Sequence, residues 1–135
     1  MVANFAGVRQ RGRDVQRKND LAQIKKGLRL YYNDFQGYPA ATSYQIVGCG
    51  ADGDTPCAWG SQFMAGATVY MNQLPQDPLN TGDFVYRYQQ PNLDQFYLFA
   101  QLENASDNDT TQSFTRCNID IVDAPTGANY VVCTD

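Results

Sequence analysis

The sequence predicts an α+β fold: a long N-terminal α-helix packed on a small antiparallel β-sheet of three to four strands, closed by two disulfides. Three observations carry this reading. Leu21, Ile24, Leu28, Tyr31 and Phe35 recur at steps of 3, 4, 3 and 4, which is one apolar helix face. Residues 84–88 and 95–102 are rich in aromatic and branched side chains and flank the turn-forming Pro91-Asn92-Leu93-Asp94. Cys49, Cys57, Cys117 and Cys133 are even in number and contain no C-x-x-C pair, as expected of two disulfides rather than a zinc or redox site.

Taken in order, residues 3 to about 36 read as one helix, with Val8 and Val15 extending its stripe among more polar neighbours. Gly7, Gly12 and Gly27 each weaken it by up to about 1 kcal/mol relative to alanine. Gly37 followed by Tyr38-Pro39 is the stop, with Gly37 expected as a left-handed cap. A rod of roughly 50 Å is too long for a body of this size to cover, so part of it should project. Residues 44–47 read as a short strand, and Gly48–Thr55 as a loop that a Cys49–Cys57 bridge would staple. Gln62–Gln73 reads as a short helix, with Phe63, Ala67 and Tyr70 on one side. The prolines of Leu74-Pro75-Gln76-Asp77-Pro78 exclude helix and central strand alike. After the hairpin come a polar loop over 103–113, a strand over 117–122 and a last strand over 129–133. The simplest of the three possible cysteine pairings is local, Cys49–Cys57 with Cys117–Cys133. Closing the longer loop stabilises by about 3 kcal/mol in the chain-entropy model.

Charge and inventory narrow the function classes. The chain has 135 residues and no histidine, which removes serine–histidine triads, cysteine–histidine dyads and histidine-containing zinc sites. Eight of the ten basic residues lie within the first 29 positions, opposed there only by Asp14 and Asp20, a net of +6. The remaining 106 residues carry Arg87 and Arg116 against twelve acids, a net of −10. The basic arm invites a nucleic-acid reading, but the acidic body repels phosphate from most approaches. Gly48-Cys49-Gly50-Ala51-Asp52-Gly53 fits the dinucleotide spacing, yet Asp54-Thr55-Pro56-Cys57 follows where a helix would have to start. Asn104, Asp107 and Asp109 cluster oxygens in a loop and are weak calcium candidates; a solvated turn is the preferred reading of them. Tyr86, Tyr88 and Tyr97 are read as sheet packing, since only Arg87 stands among them to serve a base-stacking platform. No carboxylate pair sits in an apolar strand, so no catalytic residue is named and the chain is expected not to be an enzyme. Disulfides imply an oxidising compartment. Met1 to Phe5 do not read as a signal peptide, so the export signal is expected upstream.

In order along the chain, these motifs resemble the type IV pilin and type II secretion pseudopilin superfamily. Arg17-Lys18-Asn19-Asp20-Leu21-Ala22-Gln23-Ile24, Leu28, Tyr31-Tyr32-Asn33-Asp34 and Gly37-Tyr38-Pro39 are similar to the exposed half of the pilin stalk helix and its exit. Leu74-Pro75-Gln76-Asp77-Pro78-Leu79-Asn80 is similar to the connector of the major-pseudopilin branch, with 84–88 as the strand after it. The resemblance covers residues 3 to about 102. It implies a stalk over 1–36 and a head over 37–135, with an apolar membrane-anchoring segment before Ala3 and N-terminal methylation of the mature chain. It further implies a structural role in a surface filament of copies of this chain, held in the inner membrane and served by assembly machinery before export. Arg13, Arg17, Lys18, Leu21, Ile24 and Leu28 would be its stalk and assembly residues. A secretion pseudopilus and a minor or DNA-uptake pilin are the alternatives, and calcium is expected only in the first of these. The four cysteines and the poor spacing of the acids after the second strand favour the pilus.

Overall fold

The computed structural model describes residues 5–134. It has the α+β organisation, an N-terminal helix, antiparallel sheets and two disulfides. Helix α1 (Phe5–Phe35) spans about 46 Å. Its expected first residues, Ala3 and Asn4, lie outside the described residues, as do the outer limits of the expected stalk and head. Leu21, Ile24, Leu28 and Tyr31 are buried, as the apolar spacing requires.

The helix stops one residue earlier than Gly37 was expected to stop it. Gln36 takes the left-handed conformation (φ 60°) and its N–H donates to the Tyr32 carbonyl at 2.7 Å. Gly37 serves a different need: a Cβ there would stand 3.2 Å from Leu93 Cδ2, beside the 2.7 Å bond from Tyr38 N–H to the Leu93 carbonyl. Close approach, not backbone hand, marks the position, and a side chain there would have to displace that of the exposed Leu93. Tyr88 Oη then donates to the Pro39 carbonyl at 2.6 Å and anchors the exit.

The expected sheet of three to four strands is three small sheets. Strands β1 (Ala40–Thr42), β2 (Gln45–Cys49) and β3 (Thr55–Cys57) form the first, with β2 in the middle. β4 (Phe63–Ala65) and β5 (Thr68–Met71) form a hairpin where a helix over 62–73 was expected. Gly66 is left-handed (φ 58°) and makes the turn; Phe63 and Ala65 are buried on one side of it and Tyr70 on the other strand. Period-two burial beside Thr68-Val69 overrides the i, i+4, i+7 coincidence.

The third sheet has β7 (Gln95–Ala100) between β6 (Arg87–Asn92) and β8 (Tyr130–Cys133). The first strand therefore starts three residues later than residue 84 and runs through Pro91, where the register shifts because proline has no N–H to give. The turn narrows to Leu93-Asp94, with Asn92 facing Gln95. Alternation along β7 builds two cores: Phe96, Leu98 and Ala100 join the α1 cluster, while Phe99 faces away.

Over that second face lies helix α2 (Asn108–Cys117), which replaces part of the loop expected over 103–113 and of the strand expected over 117–122. Asp107 caps it by accepting from Asp109 N–H at 2.9 Å, and left-handed Asn118 (φ 52°) ends it. Phe114 and Cys117 pack on Phe99 and Val131, and residues 121–123 form a single 3-10 turn. Cys49–Cys57 and Cys117–Cys133 are bonded, with Cα separations of 5.3 and 5.8 Å. Among the described residues no helix is long and apolar enough to cross a membrane.

Candidate functional site

The most heavily built polar site joins α1 to the head. Arg17 occupies a position of the buried stripe, four residues before Leu21, and its side chain is fully buried. Its Nε and Nη2 donate to the two oxygens of Asp77 at 2.7 and 2.9 Å, a bidentate pair with the acid of the proline-rich connector. Its Nη1 donates to Asp14 Oδ1 at 2.8 Å and Glu103 Oε2 at 2.7 Å. The Phe84 ring lies over the guanidinium, 5.1 Å away. Arg13 adds a second fork to Glu103, at 2.6 and 2.7 Å. Asp14 in turn accepts the backbone N–H groups of Glu103 and Asn104 at 2.8 and 3.0 Å. Asp77 accepts that of Leu79 at 2.9 Å.

Every charge in this cluster meets a partner. Hydrogen bonds from Arg13, against the cost of burial and aided by Arg17, hold the Glu103 carboxyl down to about 2. Burial pulls Arg17 towards neutrality, but its bonds to Asp77, Glu103 and Asp14 outweigh that and raise its pKa above the ordinary value. Such groups stay charged across neutral pH and hold a helix in place; they are not poised to exchange protons. One turn along the helix, Tyr86 Oη donates to Asp20 Oδ2 at 2.6 Å, and burial followed by that bond raises the phenol.

The calcium candidates are met by a cation of the chain itself. Lys18 Nζ lies 2.7 Å from Asp107 Oδ2 and 2.8 Å from Asp109 Oδ2. Asn104 Oδ1 points instead to Ser106 N–H at 3.1 Å. The hydrogen bond from Lys18 lowers the Asp107 pKa. No cluster of three or more metal-ligating acids or cysteines occurs among the described residues.

The expected assembly residues are likewise engaged inside the chain. Leu21, Ile24 and Leu28 form the core, and Arg13, Arg17 and Lys18 meet acids of the head. The +6 and −10 regions therefore already pair within one molecule at these positions. Sequence reasoning missed Glu103 and Asp77 as partners. The available signal was Arg17 itself, an arginine at a stripe position that must be buried and so must be paired. Gly48–Gly53 runs from β2 into the stapled turn before β3, with no helix after it. Tyr86 and Tyr88 are buried, and Tyr97 is half-buried.

Two open surfaces stand out among the described residues. The first is the start of α1, where Phe5, Val8 and Val15 are each about two-thirds exposed. The second is a groove of about 900 Å³ between α2 and the 3-10 turn, with Phe114, Ile119 and Ile121 on its walls and Asp120 and Asp123 beside them.

No protein-family model matches the chain, and neither a curated protein nor a solved structure matches it significantly.

Proposed function

We propose that this protein is a structural subunit of a type IV pilus-like extracellular filament, with a pilin-like fold and no catalytic role. One observation carries the reading: α1 is clamped to the head from Arg13 onward, while Phe5, Val8, Arg9 and Arg11 before it are exposed. A head that sets two carboxylates, Asp77 and Glu103, on a buried arginine of one helix is suited to transmit load along that helix. Two disulfides suit an exported, mechanically loaded chain.

Between filament types, the position of Lys18 favours the pilus. Its ammonium stands between Asp107 and Asp109 at the start of α2, in the stretch where the resemblance would place a secretion pseudopilin's calcium. The DNA-uptake alternative loses Arg13, Arg17 and Lys18 as free cations, since all three meet carboxylates of their own chain. In this reading the chain waits in the inner membrane, facing the periplasm, and is then assembled into a cell-surface filament.

The test is mass spectrometry of the protein recovered from cells that express its complete gene, on filaments sheared from their surface. The expected result is a mature chain beginning with an N-methylated residue and about 20 apolar positions before Ala3. Recovery only as a freely secreted chain, cut by an ordinary signal peptidase, overturns the proposal.

A further inference from the structure

We propose that the groove between α2 and the 3-10 turn receives the outward face of the projecting α1 end of a second copy of this chain. The proposal rests on the filament reading and names the head-to-stalk contact within it.

The geometry begins with helix phase. At about 100° per residue, Phe5, Val8, Gly12 and Val15 fall within roughly 80° of one another. The centre of that stripe lies about 180° from the centre of the face formed by Asp14, Arg17, Leu21, Ile24 and Leu28. The second face is the one buried against the head, so the molecule cannot cover the first with its own body. Gly12 leaves the middle of the outward stripe without a side chain, and a Cβ there would meet nothing within 4 Å. A partner surface can therefore approach the helix backbone closely.

Charge then selects the occupant. Arg9 and Arg11 stand on opposite edges of the outward stripe, each about 80° from its centre. Both are exposed, and among the described residues neither makes an ion pair. The groove offers the complement: apolar walls from Phe114, Ile119 and Ile121, two carboxylates from Asp120 and Asp123, and no basic residue in its lining. Ile121 is about half exposed and the adjoining Val122 is 81% exposed. An apolar stripe between two cations thus meets an apolar groove beside two anions, the helix-in-groove mode of recognition. The same carboxylates turn away a phosphate backbone. Helix end and groove are different patches of one molecule, so the contact is heterologous and propagates without closing.

The test is an NMR titration of the 15N-labelled protein with unlabelled protein at low salt. Groove amides, Thr111, Asn118 and Ile121 among them, are expected to shift with added copies, and high salt should suppress the shifts. Unlabelled Arg9→Glu/Arg11→Glu protein should bind about tenfold more weakly. A labelled Asp120→Asn/Asp123→Lys groove should lose wild-type binding and recover it with the Arg9→Glu/Arg11→Glu partner. Asp120→Asn keeps an acceptor for the Val122 N–H that Asp120 now caps at 3.1 Å, so the 3-10 turn survives. Groove amides that stay still up to millimolar protein, or shifts that ignore both charge reversals, overturn the contact. Filaments recovered without groove shifts remove this contact and leave the filament reading. Groove shifts in a chain that is found only as a secreted monomer do the reverse.

Discussion

The two ends of α1 carry the same chemistry to opposite results. Arg9 and Arg11 and, further along, Arg13 and Arg17 are arginines of a single helix. The first two stand in solvent; the second two are locked to Glu103, Asp14 and Asp77. What differs is not the side chain but the side of the helix and the distance from the head. A cation becomes structural where the head supplies carboxylates and excludes water, and it stays available where neither occurs.

The largest test of that difference is Arg17→Met. It leaves Asp14, Asp77 and Glu103 without their shared cation, and removing one partner of a buried network costs about 3–5 kcal/mol. Urea denaturation should show a large fall in midpoint, whereas Arg9→Ala or Arg11→Ala should shift stability by no more than about 0.5 kcal/mol. An Arg17→Met protein as stable as wild type would erase the distinction between the two ends.

Next in size is the Cys117→Ser/Cys133→Ser pair, expected to cost about 2–4 kcal/mol. The loss should fall on α2 and β8, measured by hydrogen exchange, and leave the α1 junction protected, because Phe99, Phe114 and Val131 form a cluster separate from the α1 core.

Acid should loosen the junction. The Glu103 carboxyl is held at about 2 in the folded chain, below its ordinary value, and Asp107 is lowered as well. A depressed carboxylate stabilises fully above its unfolded pKa of about 4.3, and the benefit is lost as pH falls from there towards about 2. Asp20, raised mainly by burial, opposes this in part. The net loss should be about 1–2 kcal/mol, and Glu103→Gln should flatten the stability profile across that window.

The smallest effects separate two glycines of the same helix. Gly12→Ala should stabilise by about 0.5–1 kcal/mol, since the new Cβ stands in open space and alanine favours helix. Gly27→Ala should destabilise by about 1 kcal/mol instead, because its Cβ would lie 2.7 Å from Met71 Cγ and 3.4 Å from the Tyr70 carbonyl. Equal thermal shifts for the two would mean that α1 does not press on β5 there.

The helix, the β6–β7 hairpin, the last strand and the local disulfides were legible because each is written in short-range spacing. The β4–β5 hairpin was not. Phe63, Ala67 and Tyr70 fit a helical period by coincidence, and the deciding signals were Gly66 at a turn and the branched pair after it. Helix α2 was hidden because Asn108-Asp109-Thr110-Thr111-Gln112-Ser113 looks like a solvated loop. It forms because Asp107 caps it and Phe114 and Cys117 find the back of β7. The site was half legible: Arg17 in an apolar stripe announced a buried cation, but nothing local names Asp77, 60 residues away, or Glu103, 86 away, as its partners.

By itself the sequence determined the long helix, its end shortly before Tyr38-Pro39, an oxidised α+β body and the placement of positive charge at one end. These follow from periodicity, backbone chemistry and counting, all properties of neighbours along the chain. Only the tertiary structure decided which of those charges are spent and which are free. Ion pairing and burial depend on groups far apart in sequence being brought within about 3 Å of one another. A run of arginines looks uniform until the head takes up one side of it.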